Sequence, residues 1–156
     1  MLDAGQVPRR ECSLPIFFID PSGRLTDDHV HGSPCVDITL QPTFPGGPAG
    51  IAVRALVDTG ADYVYVERSV ITLLRLPTIR TITANGMPST VHESAISVPN
   101  AGLFWKTQIC ALGVRANGNG FDAILGRQFL RHGRLIFDVR NGQHPSLLID
   151  AAAVAY

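Results

Sequence analysis

The sequence predicts an all-β fold, a closed or nearly closed β-barrel with one or two short helices. Three observations predict it. Short runs rich in β-branched and apolar residues recur along the chain, turn signals such as Asn85-Gly86 and Asn141-Gly142 punctuate them, and only two stretches have helical spacing. The 156 residues fit one domain with its own core. A hydrophobic fraction of 46% against 17% charged residues excludes charge-driven disorder and fibrous structure.

In chain order, residues 1–33 are polar and turn-rich, with one apolar run, Leu14 to Ile19, before Asp20-Pro21-Ser22-Gly23. This predicts an N-terminal arm, partly flexible or carrying an extra strand. Cys35 to Leu40 alternates as a half-buried strand, and the Pro- and Gly-rich segment 41–50 is a loop. Ile51 to Val57 is the next strand and runs directly into Asp58-Thr59-Gly60-Ala61. Extended structure resumes at Tyr63 to Val66. Glu67 to Leu76 carries apolar residues near helical spacing and is stopped by Pro77.

Thr78 to Val98 reads as two strands around Asn85-Gly86, a hairpin pointing away from the core. Leu103 to Val114 is a further strand. Phe121 to Gly126 is expected to enter a second short helix that ends near Gly133. Leu135 to Val139 and Ser146 to Asp150 are expected to pair across Asn141-Gly142, leaving 151–156 as a tail.

Thirteen basic and thirteen acidic side chains cancel, so no overall field draws the chain to nucleic acid or anionic lipid. The absence of a basic cluster with interleaved aromatics also argues against a nucleic-acid-binding domain, despite Arg127, Arg131 and Arg134 on one helical face. No window approaches the roughly 20 apolar residues of a membrane span, and the first residues lack a basic stretch before an apolar one. A cytoplasmic location is the expectation. Cys12, Cys35 and Cys110 lack the spacing of a zinc or redox site and allow at most one disulfide. His29-Val30-His31 lies in a polar arm, where solvated histidines are the expectation rather than a metal site; neither metal nor cofactor is predicted. Trp105 is expected in the core.

The chemically informative segment is Leu56-Val57-Asp58-Thr59-Gly60-Ala61-Asp62. A carboxylate at the end of a buried apolar strand needs donors to stay ionised. The amides that follow Asp58 supply them, Gly60 permits close backbone approach, and the Thr59 hydroxyl can tie the turn to another group. Taken alone, the triplet is more simply an ordinary turn with an Asp cap, as most such triplets are.

The order of apolar strand, Asp58-Thr59-Gly60, helix, Asn-Gly hairpin and Ile124-Leu125-Gly126-Arg127 resembles the retropepsins, the single-domain aspartic proteases of retroviruses and their relatives. The resemblance covers residues 34–150. It implies a retropepsin-like barrel, a catalytic Asp58 with Thr59 and Gly60, and a flap hairpin whose tip, Asn85, Gly86 and Met87, closes over substrate. It further implies substrate contacts at Ala61, Asp62 and Ile124, and an Arg127 that pairs with Asp62. Such chemistry needs two carboxylates, one protonated and one ionised. The chain has no second Asp-Thr-Gly or Asp-Ser-Gly, so the resemblance implies a homodimer that contributes Asp58 twice and takes an extended polypeptide as substrate. The arm before Pro34 and the terminal hairpin depart from viral members, which end in a single interdigitating strand. Phe17-Phe18, in the apolar part of the arm, is a candidate site of self-cleavage. The competing reading is a peptide-binding or dimerisation module that has the fold without cleavage.

Overall fold

The computed structural model describes residues 11–84 and 86–150. Its strands are β1 (Glu11–Pro15), β2 (Phe17–Ile19), β3 (Leu25–Thr26), β4 (Ser33–Gln41), β5 (Ile51–Val57), β6 (Val64–Glu67), β7 (Thr78–Ala84), β8 (Met87–Val98), β9 (Leu103–Leu112), β10 (Ala123–Leu125), β11 (Gly133–Ile136) and β12 (Ser146–Asp150). Two short helices, α1 (Arg68–Leu73) and α2 (Arg127–Leu130), interrupt them. Nine strands form one sheet in the order β3-β2-β4-β5-β10-β6-β9-β8-β7, and an additional β4–β8 pairing sets Thr39 to Gln41 against Ala95 to Ser97. A separate three-stranded sheet has the order β1-β12-β11. No described helix is long and apolar enough to cross a membrane.

Alternation explains how the sheet positions its residues. Along β5, Val53, Ala55 and Val57 are buried in the main core, while Leu56 points to the opposite face. Cross-strand pairing puts Leu56 beside Ile124 of β10, Ile124 beside Tyr65 of β6, Tyr65 beside Cys110 of β9, and Cys110 beside Val91 of β8. This lateral row forms a second apolar surface, distinct from the core on the other side of the sheet. Asp58 follows Leu56 by two residues and so emerges at the end of the same row.

Two expectations are corrected here. Ala123 to Leu125 does not open a helix: it is a strand, parallel to β5 and antiparallel to β6. Three residues are too few to show a period, and only the two flanking strands make this segment extended. The arm holds two strands within the Leu14 to Ile19 run rather than one. They divide at Ile16, whose amide donates to the Pro145 carbonyl at 2.9 Å, so β1 joins β12 while β2 joins β4.

The terminal hairpin forms, with β11 two residues earlier than expected at its start and Ile136 opposite Ser146. In α1, Val70 and Ile71 face the core with Leu74, and Arg75 takes a positive φ of 54° before Pro77 ends the segment. All three cysteines are buried and free. Burial raises each thiol, Cys35 to about 12, so all three remain inert protonated hydrophobes at neutral pH.

Candidate active site

Asp58 leaves β5 with its amide donating to the Leu125 carbonyl at 3.1 Å, a bond that continues the parallel pairing of β5 with β10 by one residue. Its carboxylate is half-buried, and Oδ1 accepts the Gly60 amide at 2.8 Å. The Ala61 amide donates back to the Asp58 carbonyl at 3.3 Å, completing a tight turn. The donor expected from the sequence is therefore present.

The turn is held from outside by the residues around α2. The Gly126, Arg127 and Gln128 amides donate to the carbonyls of Tyr63, Ala61 and Asp62 at 3.1, 2.8 and 3.0 Å. The approach is close enough to require glycine: a Cβ on Gly126 would lie 2.6 Å from the Ala61 carbonyl oxygen, so any side chain would push the two segments apart. The Gln128 side chain adds a bridge, accepting the Val64 amide at 3.2 Å and donating to the Gln108 carbonyl at 3.3 Å. Arg127 completes the clamp, donating to Asp62 Oδ1 and, at 3.2 Å, to the Thr59 carbonyl. The predicted Arg127–Asp62 pair is thus formed within the protomer.

Asp58, Gly60, Ala61, Asp62, Tyr65, Leu112 and Ile124 line a cavity of about 220 Å³. Sequence reasoning missed two of these residues, Tyr65 and Leu112, because neither is in a motif; each lies in a strand whose end reaches the turn. Burial raises the Tyr65 phenol, with smaller contributions from Cys110, Asp62 and Tyr63, which keeps it a neutral hydrogen-bonding group. Gly86, with φ of 75°, and Met87, 66% exposed, lie at the far end of the β7–β8 hairpin and do not line this cavity. Asn85 lies outside the described residues. The strands of the hairpin do approach the site, since Ala84, next to the tip and paired with Met87, and Val91 are buried with Tyr65 and Cys110 in a cluster against which Ala61, Ile82 and Ile124 pack.

Other candidates are held elsewhere. Trp105 packs on Phe129 and His132, with centroid distances of 5.1 and 5.3 Å. His31 Nδ1 lies 3.0 Å from Asp28, and the His29 ring rests on Phe18. Arg134 pairs with Glu11 at 2.7 Å, and Arg131 Nε donates to His132 Nε2 at 3.4 Å. Thr59 is exposed at the tip of the turn.

No family model and no curated protein matches the chain. Among solved structures, a retropepsin-like aspartic protease from Rickettsia conorii superposes with a TM-score of 0.53 at 11% identity, covering 89% of this chain and 90% of that one. The EIAV protease complexed with the inhibitor HBY-793 gives 0.46 at 19% identity, covering 68% and 92% of the two chains. The retroviral protease-like domain of Ddi1 from Leishmania major gives 0.43 at 16%, covering 74% and 94%. The match to the Rickettsia structure over nearly the whole of both chains, together with the strand order around the Asp58 turn, shows that the chain has the retropepsin-like fold.

Proposed function

We propose that the chain is an aspartic endopeptidase that acts as a homodimer on extended polypeptide. The observation that carries this reading is the Asp58 turn, a carboxylate fixed by the Gly60 amide at the mouth of a cavity within a retropepsin-like fold. One Asp58 carboxylate, ionised, takes a proton from water as the water oxygen attacks the scissile carbonyl carbon. The partner carboxylate, protonated, gives its proton to the carbonyl oxygen. Collapse of the resulting diol breaks the C–N bond, and the amine leaves with a proton.

A second copy is required on two grounds. The other carboxylate lining the cavity, Asp62, is engaged by Arg127 and is not available to share a proton with Asp58. At about 220 Å³ the cavity is also smaller than the roughly 300 Å³ at which small-molecule sites begin, so one protomer offers only part of a polypeptide cleft. The terminal hairpin is the surface we assign to dimerisation. Among the described residues β11 pairs only with β12, which leaves its other edge open, and Leu135, Ile136 and the adjacent Phe137 are exposed. Such an edge seeks a strand, and pairing with its own copy is isologous, as a shared two-fold dyad demands.

We read the β4-β5-β10-β6-β9-β8 circuit as a barrel and the β7–β8 hairpin as its flap, with Gly86 and Met87 at the tip. Residues 34–150 are then the protease domain, to which residues 11–33 add strands. A peptide-binding module without cleavage would have no need of the carboxylate held by the Gly60 amide.

The test is incubation of the full chain with a peptide library, with and without pepstatin, beside Asp58→Asn. Wild type should cleave and the variant should not. Mixing wild type with a ninefold excess of Asp58→Asn should lower activity to about one tenth once protomers exchange, because random pairing leaves about a tenth of wild-type protomers together. Undiminished pepstatin-sensitive cleavage by Asp58→Asn would overturn the mechanism.

A further inference from the structure

The Asp20–Arg24 turn of the arm has its own internal scaffold. Asp20 Oδ1 accepts the Ser22 amide at 2.9 Å, the Ser22 hydroxyl at 2.6 Å and the Arg24 amide at 2.9 Å. The apex, Gly23, has φ of 84° and touches Gly120 backbone to backbone: a Cβ on Gly120 would lie 2.6 Å from Gly23 Cα. No side chain fits between the two segments.

Arg54 locks this contact from β5. Its Nη1 donates to the Gly23 carbonyl at 2.8 Å, its guanidinium lies 5.2 Å from the centroid of the Phe17 ring, and its own carbonyl accepts the Asp122 amide at 3.0 Å. One residue, four positions before Asp58, thereby holds the arm with its side chain and the 113–122 segment with its backbone.

The 113–122 segment runs from Leu112 to Ala123, and both Leu112 and Ile124 line the Asp58 cavity. Its buried residues Val114 and Phe121 share an apolar cluster with Ile19 of the arm and Cys35 of β4, and Leu112 and Ile124 pack against that cluster. Packing is therefore continuous from the arm, through the segment, to the cavity wall. The segment contains Gly113, Gly118 and Gly120; its first half is tied by Glu67, which accepts the Arg115 amide at 2.5 Å, and by Asn119, which donates to the Val114 carbonyl at 2.9 Å, while Gly120 is the point that rests on the arm.

We propose that the Asp20–Arg24 turn is a brace. By seating Gly23 on Gly120 it fixes the 113–122 segment, and through Leu112 and Ile124 it fixes the wall of the cleft that receives substrate. Gly23, Gly120 and Arg54 are positioning residues that act without touching the reacting atoms. This rests on the protease reading; the brace itself can be measured without activity.

The experiment compares wild type with Gly120→Val, which drives a branched side chain into Gly23, and with Arg54→Met, which removes the bond to the Gly23 carbonyl. Arg54→Lys keeps a cationic donor. Hydrogen exchange across 113–122 should be at least about tenfold faster in both disruptive variants and partly restored in Arg54→Lys. On a peptide that wild type cleaves, KM should rise about fivefold with kcat within about twofold. Unchanged exchange in Arg54→Met and Gly120→Val would overturn the brace. Faster exchange with KM unchanged would overturn its link to the cleft. A wild type that cleaves no peptide would instead defeat the protease reading, and exchange alone would then decide the brace. Should Gly120→Val fail to fold, Arg54→Met and its lysine rescue decide.

Discussion

Arg127 holds Asp62 with one nitrogen and the Thr59 carbonyl with another, so a single guanidinium spans the Asp58 turn from its second residue to its fifth. Both side chains of the ion pair are more than half exposed, so its direct contribution to stability is at most about 1 kcal/mol. Its effect on geometry is larger. Arg127→Lys keeps the charge but has no fork to reach both oxygens, and Arg127→Met keeps neither. Cleavage should fall by about tenfold or more in Arg127→Met, and by less in Arg127→Lys, because small misplacements of a reacting group have large kinetic effects. Steady-state kinetics beside thermal melts checks this. A melt that drops sharply while kcat is unchanged would assign Arg127 to stability alone.

The β7–β8 hairpin should become ordered by ligand. Among the described residues β7 pairs only with β8, and Thr78 to Thr81 are exposed, which suits a segment that opens. Amide exchange over residues 82–92 should slow on addition of pepstatin while the β4–β5 pair is unaffected. Equal rates with and without inhibitor would remove the flap assignment.

Ala61 offers no hydroxyl to the Asp58 carboxylate, although its amide already closes the turn. In Ala61→Ser a hydroxyl there can donate to the ionised carboxylate pair and favour that form. Wild type is therefore expected to work best at weakly acidic to near-neutral pH, and Ala61→Ser at lower pH. A pH-rate profile of the two proteins is the check, and an optimum that stays or moves upward in the variant contradicts the account.

His132 makes stability depend on pH in the window where histidines titrate. Burial, then the neighbouring Arg131, holds its imidazole below the ordinary value, and its ring packs against Trp105. The unfolded chain then takes up the proton first. The stabilisation from neutral His132 is complete above about pH 6.5 and is lost as pH falls through the lower folded value. Asp20, Asp28 and Asp138, whose carboxyls are held low by hydrogen bonds, add their losses only below the ordinary carboxylate range. Melts between pH 7 and 5 should fall in wild type and flatten in His132→Phe; parallel curves would show that another group controls this window.

Much of this arrangement is legible in the chain. Ile51 to Val57 is dense enough in apolar and β-branched residues that the strand and the emergence of Asp58 at its end follow from the sequence. Asn-Gly pairs mark both hairpins because their turns need backbone conformations that glycine permits. The Arg127–Asp62 pair is legible only through the family pattern, since 65 positions separate the partners and no local rule joins them. β10 is not legible, because three residues carry no period and its neighbours come from distant segments. The seating of Gly23 on Gly120 is hidden for the same reason: two glycines in separate loops look like independent turns until β2, β4 and β5 align them.

Phe17-Phe18 looks from the sequence like a segment that a peptide-binding cleft could take up and cut. In the fold it is a strand paired on both sides, between β3 and β4, rather than a loose arm. Phe17 pairs with Cys35, and Phe18 pairs with Pro34 on one side and Thr26 on the other. Phe18 is 4% exposed, with its ring edge-on to Phe137 at 5.9 Å and tilted against His29 at 4.8 Å. Cleavage there would require β2 to leave both neighbours at once, exposing Ile19 and opening the cluster that supports Val114 and Phe121. Self-cleavage between Phe17 and Phe18 should therefore not occur under native conditions. Intact mass spectrometry of wild type and Asp58→Asn after prolonged incubation should show no fragment beginning at Phe18 in either. Such a fragment in wild type alone would mean that β2 opens in solution as readily as a flap, and that the brace formed by the turn after it is not permanently seated.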